Sequence, residues 1–405
     1  MSDYKGIEYL KKKLAAKRTR IDLRYRYYDM KYMVRDFGIS TPPDLRAWMS
    51  TLGWCARSVD ALADRLAFQQ FENDVFDMNG IYAANTQDVI IDSAILGALI
   101  SSCDFIYITA DESGFPLMRV VDGRHATGII DPTTNMLGEG YAVIDSDEYD
   151  RPVTEAYFLP GETWVYEKGA KAPYLVENAA PYPLLVPVIY RPDATRPFGH
   201  SRITRACMSI VKSAVRTVKR SEIAAEFYSY PQKYILGMSQ DAERMEKWRA
   251  TMSSMLQIDK DEDGDHPVVG SFQTVSQTPH MDQLRMFAGV FAGETGLTLD
   301  DLGFPSQNPS SSEAIKAAHE TLRLTARKAQ RTFGVGLLNA GYLAACVRDD
   351  YPYLRRQVSR TRLQWEPIFE PDITALSGVG DAVQKIQTSF PDYFTEDKLR
   401  ELTGI

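Results

Sequence analysis

The feature that most constrains this chain is a long stretch without proline between Pro197 and Pro231. Gly199 and Ser201 open the stretch, and serine is a favoured N-cap residue, so the pattern predicts an uninterrupted helix from about Arg202 to Ser229. At about 1.5 Å per residue, such a helix is about 40 Å long. The remainder of the chain has to be organised around it.

The two sides of this predicted helix differ in charge. At about 100° per residue, one side is apolar and the opposite side carries a narrow row of cations. We call this row the basic stripe, and it consists of Arg202, Arg205, Lys212, Arg216, Lys219 and Arg220. The apolar side consists of Ile203, Cys207, Ile210, Val211, Ala214, Val215 and Val218. The apolar side is predicted to be buried, while the stripe is either a solvated face or a surface that binds a partner.

Composition narrows the class of protein. The chain has 405 residues, which is more than one hydrophobic core usually serves, so several domains or a multi-lobed subunit are expected. A formal net charge of -8 argues against a protein that covers nucleic acid with its whole surface. The four cysteines lack CxxC spacing and are predicted to be reduced, buried thiols of a protein made inside the cell. No segment resembles a signal peptide or a membrane span.

The N-terminal residues 1–35 are basic and rich in tyrosine. Such a segment can bind nucleic acid or an anionic lipid surface. An amphipathic helical arm that lies on acidic parts of the same or a neighbouring subunit is the favoured interpretation. Two core helices are predicted after it, one from Pro43 to Phe68 and one from Thr86 to Ser101, with Thr86 as the N-cap of the second.

Between Cys103 and Arg196 the pattern changes to alternating or short apolar runs separated by turn residues. This predicts an antiparallel β region of six to eight short strands, whose aromatic residues pack in the sheet rather than form a ligand cage. Together with the helices before and after it, the β region indicates an α+β fold.

An insert separates the first long helix from a second one. It contains a strand-like run from Tyr234 to Met238, a charged helix and an acidic loop from Asp259 to Asp265. The loop matches the first half of a calcium-binding loop, but Gly270 stands where the ligating glutamate belongs, so an exposed acidic turn is expected. The second helix is predicted from Thr278 to near Gly296. Its apolar stripe comprises Met281, Leu284, Ala288, Phe291 and Thr295. Two helices around an insert predict a stalk with a small domain at its tip.

The C-terminal part begins with a capping box in which Ser310 is the cap and Glu313 the reciprocal acceptor. It predicts a long helix from Ser311 to about Arg348, kinked at Gly334 and Gly336 because glycine weakens a helix interior. A shorter helix from Gly378 to about Thr388 follows.

Patterns that carry catalytic chemistry are missing from this sequence. It has no phosphate-binding loop, no zinc-protease helix motif, no nucleophile elbow and no paired cysteine ligands, and its histidines lie far apart. We therefore predict no catalytic residue, no metal site and no cofactor, and expect a structural component rather than an enzyme.

Three short segments follow one another in an order typical of one family. Val59, Asp60, Ala63, Arg65 and Leu66 match a wing helix of that family. Gly199, Ser201 and Ile203 match the start of its first stem helix. Asn308, Pro309, Ser311, Ala314 and Ile315 match its tunnel loop and the helix that follows. The chain thus resembles the portal proteins of tailed double-stranded DNA bacteriophages, of the siphophage type.

The resemblance implies an α+β subunit with an α/β wing, a two-helix stem, a small α+β clip, a long kinked helix and a helical crown. It assigns the wing to 1–196, the first stem helix to 197–230, the clip to 231–277, the second stem helix to 278–296, the tunnel loop to 297–312, the long kinked helix to 313–350 and the crown to 351–405.

The resemblance also implies a function. Portal proteins form a ring of about twelve copies at one capsid vertex, through which double-stranded DNA is packaged and ejected. The implied partners are other copies of the chain, DNA in the channel, terminase, the major capsid or scaffolding protein and the head–tail connector, with no membrane. Terminase hydrolyses the ATP, and the ring is a passive conduit. The place is the portal vertex of the virion, after assembly in the host bacterial cytoplasm.

Two surfaces are implied to meet partners. The basic stripe faces either acidic residues of the neighbouring stem or DNA phosphates, and we favour the neighbour because tight phosphate binding would impede sliding. The tunnel-loop candidates, polar and uncharged, are Ser306, Gln307, Asn308 and Ser310. Two other functions stay open at this point: a soluble nucleic-acid-processing enzyme with an unrecognised active site, and a membrane-surface scaffold that uses the N-terminal arm.

Overall fold

The computed structural model describes residues 4–32, 34, 49–229, 233–236, 268–271, 276–305, 312–369 and 373–389. The helices are α1 (Ile7–Tyr28), α2 (Trp54–Ala63), α3 (Met78–Ala84), α4 (Gln87–Ser101), α5 (Arg205–Ser229), α6 (Thr278–Thr295), α7 (Ser312–Ala318), α8 (Glu320–Arg348) and α9 (Ile373–Ser389). The strands are β1 (Phe68–Glu72), β2 (Cys103–Ala110), β3 (Pro116–Val121), β4 (Ala126–Ile130), β5 (Leu137–Ser146), β6 (Pro152–Leu159), β7 (Glu162–Glu167), β8 (Tyr174–Glu177), β9 (Leu185–Ile189), β10 (Lys233–Leu236), β11 (Val268–Ser271) and β12 (Arg362–Trp365). The predicted α+β class is confirmed.

The β region consists of two antiparallel sheets. In the first, β2 lies between β3 and β9, so that Phe105 pairs with Val121 on one side and with Pro187 on the other. The second has the order β4-β5-β6-β7-β8, in which each strand pairs with the next along the chain. Every strand from β2 to β9 coincides with one of the predicted apolar runs. The predicted antiparallel β region is confirmed, because alternation and turn residues are local signals.

Helix α8 packs on the three-stranded sheet and closes the main core. The rings of Tyr190 and Phe333 stack at 5.9 Å between centroids, and Tyr82 Oη donates to the backbone oxygen of Leu337 at 2.8 Å. A Cβ at Gly336 would lie 2.9 Å from the backbone oxygen of Pro187, which is in β9. Gly336 therefore permits a close approach between helix and strand.

The N-terminal arm lies on its own subunit as α1. Leu10 and Leu14 are buried against Tyr141, Val143 and Tyr157 of the five-stranded sheet. Three lysines of the arm bind the sheet as well: Lys11 pairs with Glu155 at 2.9 Å, Lys13 Nζ donates to the Gly128 oxygen at 2.7 Å, and Lys17 Nζ donates to the Ala126 oxygen at 2.6 Å. The interpretation of an arm packed on the same subunit is confirmed, and these cations are already engaged.

The helix predicted from Pro43 to Phe68 is wrong at its C-terminal end. Helix α2 spans only Trp54–Ala63, and Phe68 begins β1, where it pairs with Trp365 of β12. The two rings meet edge to face at 5.9 Å. Strand pairing with a residue this distant in sequence favours a strand at Phe68 over the helix that the local spacing predicts. Residues 43–48 lie outside the described residues.

The predicted cap at Thr86 differs from the structure. Helix α4 follows Thr86 as expected, but the Thr86 hydroxyl donates to the Asn85 oxygen at 2.6 Å and does not cap the helix. Helix α8 continues through Gly334 and Gly336, where the kink stays a prediction, and the helical run that starts at Ser312 is interrupted at His319. There the His319 ring contacts Asp301 Oδ2 at 3.1 Å, a contact with a distant segment that the helical pattern does not contain. The predicted helix from Gly378 to Thr388 lies within the longer α9.

Candidate assembly surface at the base of a helical hairpin

Helices α5 and α6 pack antiparallel, and we call the pair the α5–α6 hairpin. Thr217 Oγ1 bonds Gln283 Oε1 at 2.9 Å, and one turn further Ser221 Oγ bonds Gln277 Oε1 at 3.1 Å. Beyond the far end of the hairpin, β10 pairs with β11 in antiparallel register. The sequence correctly predicted both helices and strand-like residues that follow the first.

Arg202 lies at the base of this hairpin and is buried, with 7% of its surface exposed. Its Nε donates to the Ser58 oxygen at 3.1 Å, and its Nη2 donates to the Thr295 oxygen at the end of α6. Including Arg202 in the basic stripe is therefore wrong. The reason is that α5 begins later, at Arg205, so that Arg202 belongs to an inward-facing turn.

The prediction that Ser201 is the N-cap is also wrong, because α5 begins at Arg205. The Ser201 hydroxyl is buried and donates to the Ile100 oxygen at 2.6 Å, which anchors the turn to the end of α4. Thr204 takes the capping role, because its Oγ1 accepts from the Cys207 backbone N–H at 3.2 Å.

The apolar side of α5 is confirmed. Cys207, Val211, Ala214 and Val215 are buried, and Ile210 and Val218 are half-buried. On α6, Ala288, Phe291 and Thr295 are buried as predicted. The prediction that Met281 belongs to this buried side is wrong, since its side chain is 54% exposed. Near that end of α6 the contact with α5 runs through the polar side chains of Gln277 and Gln283.

The remaining residues of the basic stripe occupy two settings. Arg205, Lys212 and Arg220 are exposed, whereas Arg216 and Lys219 are half-buried. Lys212 Nζ lies 6.0 Å from the centroid of the Tyr27 ring of α1. The stripe therefore runs beside the N-terminal arm at one point and is open to solvent at others.

The tunnel-loop candidates Ser306, Gln307, Asn308 and Ser310 lie outside the described residues, as do the capping Ser310 and the acidic loop Asp259–Asp265. The start of the tunnel loop is joined to the segment after the loop. Asp301 in the loop accepts from the Thr298 N–H at 2.9 Å and contacts the ring of His319, which follows the loop, at 3.1 Å. Burial opposes ionisation of Asp301, but the bonds from Thr298 and His319 outweigh it and lower the pKa of this carboxyl.

The residue pattern does not predict one cluster of side chains that the structure brings together. Five arginines from α1, from the loop after β9 and from the start of α5 line a cavity of about 620 Å³, which we call the arginine pocket. They are Arg20, Arg24, Arg191, Arg196 and Arg205. Burial lowers the pKa of Arg24 to about 10, and the charges of Arg20 and Arg196 add to the effect. The sequence placed Arg205 in the basic stripe and Arg20 and Arg24 in the basic N-terminal segment, but it does not show that these residues meet, because their segments are distant in sequence.

All four cysteines, Cys55, Cys103, Cys207 and Cys346, are free and buried, which confirms the prediction of reduced, buried thiols. Burial raises the pKa of the Cys346 thiol to about 11. Across the described ranges, no group of three or more His, Cys, Asp or Glu side chains is placed to hold a metal ion. The described helices include none with the length and apolarity to cross a membrane.

Two phage proteins are similar to this chain in sequence. The portal protein of Mycobacterium phage L5 is 24% identical over 332 residues, which cover 76% of this chain and 67% of that protein. The portal protein of Mycobacterium phage D29 is 23% identical over 331 residues with the same coverage. The resemblance to phage portal proteins is confirmed. No family model matches the chain.

Chains in solved structures of gene transfer agent particles are also similar to this chain. A chain from the virion of the native particle has a TM-score of 0.48 at 13% identity, covering 87% of this chain and 89% of that chain. A chain from the neck of the empty particle, computed with C6 symmetry, has a TM-score of 0.49 at 14% identity, covering 91% and 95%.

Proposed function

We propose that this chain is the subunit of a portal vertex, a closed ring through which double-stranded DNA enters and leaves a phage capsid. The observation that carries the proposal is the similarity to the L5 portal protein over 332 residues, which cover 76% of this chain. The mixed helix and sheet architecture fits this role. The place of action is the portal vertex of the virion, after assembly in the host cytoplasm.

The parts of the fold take the following places in this proposal. Residues 1–196, with α1 to α4 and both sheets, form the wing, and the α5–α6 hairpin forms the stem. Residues 231–277, which include the β10–β11 pair, form the clip. Residues 297–312 form the tunnel loop, in which Asp301 contacts the ring of His319 in the following segment at 3.1 Å. Helix α8 and the residues after it form the long helix and the crown.

The basic stripe serves contacts between neighbouring stems in this proposal. Helix α6 supports that role, since Met281, Met286 and Val290 are 54%, 54% and 50% exposed and offer apolar surface to a neighbour. Exposed apolar side chains on a stem helix are stabilised when a second helix covers them. Polar residues of the tunnel loop, Ser306, Gln307, Asn308 and Ser310, touch passing DNA weakly.

The ring acts as a conduit and a docking platform, with terminase supplying the ATP hydrolysis and with the capsid or scaffolding protein and the head–tail connector bound at other surfaces. Ring closure requires each copy to present two different complementary surfaces. Negative-stain electron microscopy of the purified chain tests the proposal. We expect closed rings with a central channel, and monomers or two-fold dimers at high concentration would overturn it.

Reversing the charge of Arg205, Lys212 and Arg216 together tests the role of the stripe. We expect fewer assembled rings and unchanged DNA retention in those that form. The matched control reverses Lys12, Arg26 and Lys171, which are exposed cations outside the hairpin. If the stripe variant forms rings as well as the control and only packaging or ejection changes, the stripe faces the channel.

A further inference from the structure

The arginine pocket concentrates positive charge in a concave site of a chain whose net charge is -8. Arg20, Arg191 and Arg205 make no ion pair with a carboxylate in the part of the chain that the structure describes. Arg24 donates from Nη1 to the Ser101 oxygen at 2.5 Å, which holds its guanidinium in place without neutralising it. A cation that is partly removed from water is stabilised further when an opposite charge is added.

The loop that carries two of these arginines is rigidly built. Asp193 Oδ1 accepts from the backbone N–H groups of Thr195 and Arg196, at 2.8 and 2.7 Å. Its Oδ2 contacts His200 Nε2 at 2.5 Å, and Arg196 Nη1 lies 3.3 Å from His200 Nδ1. Because the guanidinium has only donors, Nδ1 accepts and Nε2 carries the proton toward Asp193.

The backbone of this loop reinforces the arrangement. Gly199 adopts a φ of +73°, and a Cβ there would meet the Tyr190 oxygen at 2.1 Å. Arg191 adopts a φ of 50°, which is uncommon for a residue with a side chain. Residues held in such conformations often mark binding sites, since the surrounding structure has to impose them. The loop backbone and the guanidinium groups of Arg24 and Arg196 are thus held in position before any ligand arrives.

Guanidinium groups bind carboxylates with two parallel hydrogen bonds, which makes acidic side chains a fitting ligand. An acidic surface without a partner lies on α4. Asp88 and Asp92 stand one turn apart, are exposed, and form no ion pair within the described ranges. Burial and the charge of Asp88 raise the pKa of Asp92, so these carboxylates repel each other in the isolated chain. Val89 between them is 68% exposed.

We propose that the arginine pocket of one copy receives the Asp88 and Asp92 carboxylates of the next copy. This inference rests on the proposed ring and names one of its contacts. Each copy presents the pocket on one surface and the two aspartates on another, which is what a head-to-tail contact requires. Opposite charges placed across such a contact also fix its register.

The first experiment reverses each side separately. The pocket variant carries Arg20→Glu and Arg191→Glu, and the acidic variant carries Asp88→Lys and Asp92→Lys. Both leave Arg24, Arg196 and His200 intact. Like charges across a contact cost several kcal/mol, so each variant alone should need at least about tenfold more protein for half-assembly. Native mass spectrometry of a dilution series measures this. The control, Lys12→Glu with Lys171→Glu, should assemble like the unchanged chain.

The second experiment mixes the two variants. In a ring in which the two variants alternate, each reversed pocket meets a reversed acidic surface. At the other contacts an unchanged pocket meets unchanged aspartates, so opposite charges face each other throughout the ring. The mixture should therefore recover rings that neither variant forms alone, with both masses in equal number.

Three outcomes overturn the inference. Normal rings from the pocket variant would show that the pocket lies outside the contact, and normal rings from the acidic variant would show the same for α4. A mixture that stays unassembled would show that the two surfaces do not meet. In all three cases rings of the unchanged chain keep the proposed function intact, whereas absence of those rings contradicts the proposed function itself.

Discussion

Arg202 donates a hydrogen bond to the backbone oxygen of Thr295 and so joins the turn before α5 to the last residue of α6. The C-terminal end of a helix carries partial negative charge, which suits a buried guanidinium. The same side chain donates to the backbone oxygen of Ser58, so one arginine joins α2, the end of α6 and the turn before α5. The two ends of the α5–α6 hairpin that lie nearest the sheets are fixed by this contact.

Replacing Arg202 with methionine should destabilise the fold by roughly 2 to 4 kcal/mol, because the Thr295 oxygen at the end of α6 would be left buried without a donor and the Ser58 oxygen would lose its bond to the guanidinium. Urea unfolding followed by circular dichroism measures the change. Arg26→Met, on the exposed side of α1, is the matched control and should change stability by less than about 0.5 kcal/mol. Equal effects in the two variants would contradict the role of Arg202.

Stability should depend on pH through Asp104, which is buried and accepts from Ser101 Oγ at 2.8 Å and from the Gly123 N–H at 2.9 Å. Burial, with the charge of Asp122, raises its pKa to about 8. A folded pKa above the unfolded one means that the folded state binds the extra proton between about pH 4 and pH 8. Protonated Asp104 therefore contributes to the unfolding free energy near pH 4, and this contribution is lost as pH rises toward 8.

Asp104→Asn removes this titration while keeping an acceptor for Ser101 and Gly123. Between pH 5 and pH 8, the unfolding free energy of the unchanged chain should fall relative to that of the variant, by at most about 1.4 kcal/mol per pH unit. Urea titrations at several pH values measure both. Parallel pH profiles would refute the assignment. Lys17 has the opposite effect at higher pH. Burial lowers its pKa to about 8, so the unfolding free energy should rise between about pH 8 and pH 10.

Glu139 should decide whether the N-terminal arm stays docked. Its carboxylate is buried and accepts from the backbone N–H groups of Lys5 and Gly6, at 2.9 and 3.1 Å, and from Tyr157 Oη at 2.8 Å. Glu139→Ala removes all three bonds and should lower the unfolding free energy by about 2 kcal/mol. Helix α1 should detach from the sheet before the rest of the chain unfolds. Trypsin should then cleave the arm at least about tenfold faster. Glu148→Ala, at an exposed position, should leave the cleavage rate unchanged.

Two glycines of α8 offer a matched pair. At Gly336 a Cβ would lie 2.9 Å from the Pro187 oxygen, so Gly336→Ala should force helix and strand apart at a cost of about 1 to 3 kcal/mol. At Gly334 the nearest atom would be Leu363 Cδ1 at 3.6 Å, an ordinary contact. Gly334→Ala should therefore be neutral or stabilise the helix by up to about 1 kcal/mol. Differential scanning calorimetry separates the two, and melting temperatures that move together would count against the close approach.

Much of the fold could be predicted because its signals are local. The strands β2 to β9, the span of α6 with Gly296 at its end, and the buried side of α5 follow from periodicity, turn residues and caps. The candidate site was predicted less completely. Arg205 and Lys212 were placed on the exposed face of α5, but Arg202 turned inward, since its partners Ser58 and Thr295 are distant in sequence.

Residue patterns alone were enough to predict strands β2 to β9, helices α5 and α6 with their apolar sides, and the resemblance to portal proteins. Periodicity can do this because a helix or strand repeats its exposed and buried sides at a fixed interval. Tertiary structure alone decided that Phe68 joins a strand with Trp365, that Lys17 is held on the sheet, and that five arginines meet in one pocket. Those outcomes depend on packing between distant segments, and residue spacing along a chain carries no information about such distances.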